Sequence, residues 1–156
     1  RPVDQIHART QEAAVMLNLR LVVDTNVVVS AALKPQGLER VALILAVTKP
    51  ARLYVSDPIL DEYSEVLARG MLHIRKGIRA QILQMIRNRS FLVSPHRNLE
   101  VTYDPDDNLF LECAEAARAD YLITGNLRHF PRFWGSTKVI SSREFIEITA
   151  PHLLSQ

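Results

Sequence analysis

One cysteine, Cys113, stands in 156 residues, so no intrachain disulfide can form. It sits in an Ala-rich helical segment, where a small buried thiol is the plainer reading than a nucleophile. No apolar stretch reaches bilayer-spanning length, and no signal-peptide layout opens the chain. These features lead us to expect a cytoplasmic protein with no membrane partner. Lysine is scarce as well: Lys34, Lys49, Lys76 and Lys138 are the only four, and arginine carries most of the positive charge. Arginine suits bidentate contacts to phosphate. The net charge of +2 and pI of about 8.9 are still too mild to mark a nucleic-acid binder. What remains is ordinary for one folded domain: 47% hydrophobic and 23% charged residues, with no internal repeat or low-complexity tract.

The chain alternates strand-like and helix-like segments. An arm is expected over residues 1–18, with a helix over Gln5–Leu17, followed by a folded domain over 19–150 and a tail over 151–156. Leu19–Asp24 is a β-branched apolar run and reads as the first strand. A short helix over Val27–Leu33 stops at Pro35 and Gly37, and Leu38–Val47 has a helical apolar period. Ala51–Val55 reads as a strand. Asp57 reads as an N-cap followed by Pro58 at the first helical position, opening a helix to about Arg69 with Gly70 as its stop. Gly77–Arg89 is amphipathic, and its Arg79, Arg87 and Arg89 face reads as solvated. Phe91–Val93, Tyr121–Thr124 and Lys138–Ile140 are further strands. Asp104-Pro105 opens a helix through Ala119, and Ser141 with Glu144 forms a capping box. Strands separated by helices imply an α/β class with a mostly parallel sheet of about five strands, covered on both faces.

Four short segments carry the chemistry: Asp24-Thr25-Asn26, Glu62, Asp104-Pro105-Asp106-Asp107-Asn108 and Thr124-Gly125-Asn126. Two of them follow apolar strands. In open α/β sheets, sites form beyond the carboxyl ends of strands. Each segment has a plain structural explanation. Asp24 is a good helix cap, a helical Glu62 is usually a surface acid, and acids crowd helix starts. Asp104 is read as the cap and Asp106 as solvent-facing. Asp107 precedes the strongly apolar run from Leu109 to Ala114, which holds it near the sheet end. Asn126 can offer a carbonyl oxygen to a cation or a donor to a phosphate, and Gly125 permits tight backbone geometry. Carboxylates gathered in one pocket call for a hard cation, Mg²⁺ or Mn²⁺, and so for phosphoryl chemistry.

The joint order of these segments, with Ala119–Asn126 and then His129-Phe130-Pro131, closely resembles the PIN domain. More narrowly it resembles the toxin components of prokaryotic toxin–antitoxin pairs, the VapC-type ribonucleases. The resemblance covers about Leu19 to Ile148. It implies a three-layer α/β/α fold and a metal-dependent endoribonuclease with Asp24, Glu62 and Asp107 as catalytic and metal-binding acids. The family's fourth acidic position falls on Asn126, a neutral amide that binds a hard cation more weakly. One tight Mg²⁺ or Mn²⁺ site is then expected, with a second that is weak or assisted by substrate. Thr25, Asn26, Thr124 and Asn126 would orient the acids or meet the substrate. The implied partners are RNA, a cognate antitoxin and a second copy of the chain. A rival reading is a non-catalytic RNA- or protein-binding module, which Asn126 favours. An aspartyl-nucleophile phosphatase would want an acid two residues after Asp24, and position 26 is Asn.

Overall fold

The computed structural model describes residues 18–155. The arm expected over 1–18 and its helix lie outside the described residues, except for Asn18. From Arg20 the strand and helix rhythm holds. Strands β1 (Arg20–Val23), β2 (Arg52–Val55), β3 (Phe91–Leu92), β4 (Tyr121–Ile123), β5 (Phe133–Trp134) and β6 (Thr137–Ile140) form one sheet in the order β3-β2-β1-β4-β6-β5. All neighbours are parallel except β5 and β6. The helices are α1 (Thr25–Leu33), α2 (Leu38–Ala46), α3 (Asp57–Leu67), α4 (Lys76–Arg89), α5 (Pro105–Ala117) and α6 (Ser142–Thr149).

The central strands are apolar runs because both faces are covered. Leu21, Val22, Val23, Leu53, Leu122, Ile123 and Ile140 are wholly buried. Helix α5 packs across β1, β2 and β4, while α1 packs on α2 and α3. Strand order runs one way from β1 to β3 and the other way from β1 through β4 to β6. Right-handed crossovers assign the helices before and after that reversal to opposite faces, which gives the α/β/α layering. The reversal falls between β1 and β4, so their carboxyl ends open a crevice.

The sheet has six strands, close to the expected count of about five, the addition being the two-residue Phe133–Trp134, which pairs antiparallel with β6 through Gly135 and Ser136. Gly135 has φ of 57°, the left-handed conformation that a two-residue hairpin turn requires. Asp57 is not the cap of α3 but its first residue. Ser56 Oγ accepts from the Ile59 amide at 3.4 Å, and Pro58 lies in the first turn. The first strand ends at Val23, and Asp24 caps α1. Of the arginine face read as solvated, Arg87 and Arg89 are exposed, whereas Arg79 is half-buried with its Nε shielded. Asp104 caps α5, and Ser141 with Glu144 closes a capping box on α6. Cys113 is buried and free, and burial pushes its thiol up to about 12.

Candidate active site

Asp24 leaves β1 at its carboxyl end with almost no exposure. One carboxylate oxygen accepts from the Thr25 amide at 2.8 Å, which caps α1. The other accepts from the Thr124 hydroxyl at 2.7 Å. Thr124 Oγ1 in turn accepts from the Asn126 amide at 3.0 Å. A second bond joins the same two strand ends: the Gly125 amide donates to Asn26 Oδ1 at 3.0 Å. Two segments a hundred residues apart are thus tied across the β1–β4 crevice. Gly125 is not there for space, since a Cβ would meet Asn26 at 3.5 Å, an ordinary contact.

Tyr63, on α3, is fully buried and donates its hydroxyl to the Val23 carbonyl. It also stacks near Phe110 of α5, with ring centroids 6.3 Å apart. Tyr63 therefore locks α3 to the strand end that carries Asp24. It stands one residue from Glu62, so it also fixes where that acid emerges. A buried tyrosine beside Glu62 was the missed signal: its phenol must find a partner, and the free carbonyl at a strand end supplies one.

A cleft of about 480 Å³ opens between these elements. Asp24, Glu62, Asp107 and Asn126 all line it, with Thr25 and Asn26 on the α1 side. Thr124 stands just behind, bonded to Asp24. Asp104 and Asp106 also line the cleft. Asp106, expected to face solvent, is exposed and yet sits at the mouth. His129 lines the cleft, and its Nδ1 lies 3.6 Å from Asp107 Oδ2. Asn108, the last residue of the acidic motif, faces away. Its buried Oδ1 accepts from the Val101 and Thr102 amides and the Thr102 hydroxyl, which anchors the loop ahead of α5.

Crowding shows in the acid strengths. Burial raises the Asp24 carboxyl to about 6, and the charge of Asp107 adds to it, while the Thr124 and Thr25 hydrogen bonds oppose. Glu62 is raised by burial, then by Asp106, Glu65 and Asp104. Asp107 is raised by burial and by Asp104 and Asp106, against the opposing charge of His129. Burial is the first cause in each case and neighbouring carboxylates add to it; a divalent cation in the cleft would favour the charged forms. Among the described residues, no three His, Cys, Asp or Glu side chains approach closely enough to hold an ion alone. The hard oxygen donors suit Mg²⁺ or Mn²⁺ that keeps several waters and takes one or two carboxylates directly. Two buried polar atoms at the cleft, Thr25 Oγ1 and Asn26 Nδ2, have no partner among the described residues, so polar groups remain for such waters.

The PIN domain family model matches residues 20–128. The chain belongs to the PIN domain family. It is 30% identical over 113 residues to the uncharacterized protein MJ1680 of Methanocaldococcus jannaschii, covering 70% of this chain and 72% of that protein. Its fold is similar to a chain in the crystal structure of VapBC2 from Rickettsia felis bound to a DNA fragment from their promoter. The TM-score is 0.56 at 18% identity, with 79% of this chain and 98% of that one covered. At that identity the likeness concerns the fold. As a PIN domain, the chain has its matched region running from β1 to the turn after β4, the stretch that assembles the cleft.

Proposed function

We propose that this PIN domain is a Mg²⁺- or Mn²⁺-dependent endoribonuclease, a hydrolase of RNA phosphodiesters. The observation that carries the reading is the cleft itself. Asp24 from the end of β1, Glu62 from α3 and Asp107 from α5 line one cavity, and all three carboxyls are raised above their ordinary range. A bound divalent cation would supply a nucleophilic hydroxide at neutral pH and offset charge on the phosphoryl oxygens. The chain's part is placement. Thr124 and the Thr25 amide fix both oxygens of Asp24, so its position does not depend on side-chain motion. Tyr63 fixes the strand end behind it. His129, beside Asp107 and on the cleft wall, stands where it can donate to a phosphate oxygen. Asn126 adds a neutral amide side chain to the cleft lining.

We further propose that the protein is the toxin of a toxin–antitoxin pair and acts as a homodimer in the cytoplasm. The fold likeness to a chain of VapBC2 supports a cognate antitoxin. Exposed Leu33 and Ile44 on α1 and α2 support a second copy. The test is cleavage of a mixed single-stranded RNA by the purified chain in Mn²⁺ and in EDTA. Cleavage in Mn²⁺ alone supports the enzyme. RNA bound but uncut under both conditions favours the non-catalytic module, the reading that the neutral Asn126 keeps open.

A further inference from the structure

Beside the acidic cleft lies a second cavity of about 490 Å³ whose lining holds two arginines and one acid. Asn126 and His129 line both, so the two cavities share a wall. The cationic side chains of the second are Arg128 and Arg143. Arg128 comes from the turn after β4, and Arg143 from the first turn of α6. Both are exposed, and among the described residues neither is ion-paired. Glu39, at the start of α2, is the acid on that wall. Ser142, 6% exposed, adds a hydroxyl-bearing side chain to the lining.

We propose that this cavity seats the nucleotide next to the scissile bond of a single-stranded RNA, with Arg128 and Arg143 holding its phosphate. The inference rests on the nuclease reading and says which way the strand leaves the acidic cleft. A polyanion crossing Asp24, Glu62, Asp104, Asp106 and Asp107 meets repulsion at every phosphate that the cation does not cover. The adjoining cavity is where that charge is answered. Exposed arginines present planar donor forks that match phosphate oxygens. A single strand can splay a nucleotide into a cavity of this size, whereas stacked and paired bases in a duplex cannot reach it. Asn126 and His129 then stand between the scissile phosphate and its neighbour.

The test is binding of a short fluorescent single-stranded RNA, followed by polarisation in EDTA, where cleavage is off. Three full-length proteins are compared: wild type, the pair Arg128→Gln with Arg143→Gln, and a control pair Arg75→Gln with Arg87→Gln. The control removes the same charge from the ends of α4, outside the cavity. Thermal melts check that all three are folded. The cavity pair is expected to bind about tenfold more weakly. Its slope of log Kd against log salt should fall by about 0.7 for each phosphate that an arginine no longer neutralises. The control is expected to stay within about twofold of wild type. Equal weakening by both pairs means bulk charge alone and overturns the assignment, as does no weakening by either. The nuclease reading fails separately: a wild type that does not cut RNA in Mn²⁺, yet binds it through these arginines, loses the activity and keeps the cavity.

Discussion

Asp24 is a carboxylate held where carboxylates are least comfortable. Its pKa is raised from 3.8 to about 6 in the folded chain, chiefly by burial. The unfolded chain releases this proton first, so between about pH 4 and pH 6 the native state binds more protons. The stability contributed by the proton is complete below about pH 4 and is lost as pH rises through about 6. The loss is on the order of 3 kcal/mol at neutral pH. Metal-free protein should therefore melt higher near pH 5 than at pH 7.5, once other groups are matched by comparison with Asp24→Asn. Manganese should raise the melting temperature at pH 7.5 and much less at pH 5, where a proton competes for the site. Asp24→Asn should lose the manganese shift at both. An undiminished shift in that variant would remove Asp24 from the metal site. Asn126→Asp adds an anion at the cleft and should tighten manganese binding in a calorimetric titration. No change would place residue 126 outside the ion's reach.

At the scale of elements, the site depends on how α3 is fastened to β1. Tyr63→Phe keeps the buried ring and its stacking on Phe110 but leaves the Val23 carbonyl without its donor. An unfilled buried acceptor costs about 1–3 kcal/mol. Denaturant melts should show that loss, and cleavage should fall more than stability alone explains, because Glu62 shifts with the helix. Most elements were legible in the sequence. Apolar runs marked the central strands close to their observed bounds, and Asp104-Pro105 and Ser141 with Glu144 marked helix starts through local hydrogen bonding. What was hidden has physical reasons. Strand β5 is two residues long, too short for alternation to show, and only the Gly135-Ser136 turn betrays it. Ser56 and Asp57 are both good caps, and sequence alone cannot choose between adjacent ones. Asp106 reads as solvated because a helix start explains it. Exposure and facing the cleft are compatible at its mouth.

At the scale of the molecule, the strand order does the assembling. Asp24 and Asn126 meet because β1 and β4 are neighbours at the reversal of the sheet, although 102 positions separate them in the numbering. The recurring acids pointed to a shared pocket. The tie from Thr124 to Asp24, and that from Gly125 to Asn26, came only with the register Val23 to Ile123. Residues 151–154, expected as a tail, form a short turn with Leu154 against the core. Leu33 and Ile44 remain exposed on the α1–α2 surface. Light scattering should give a dimer at micromolar concentration, and Ile44→Glu should shift it toward monomer. A monomer at high micromolar concentration would count against a paired assembly.

Whether the acid-lined cleft cuts RNA is decided most cleanly at Asp107. Its side chain faces the cleft, while the apolar face of α5 that holds the helix is untouched by substitution there. The measurement is the rate of RNA cleavage in Mn²⁺ by wild type, Asp107→Asn and Asp106→Asn, each shown to be folded by its melting curve. A cleft that works through Asp107 predicts a loss of about a hundredfold or more for Asp107→Asn and nearly full activity for Asp106→Asn. Wild-type rates from Asp107→Asn would contradict it.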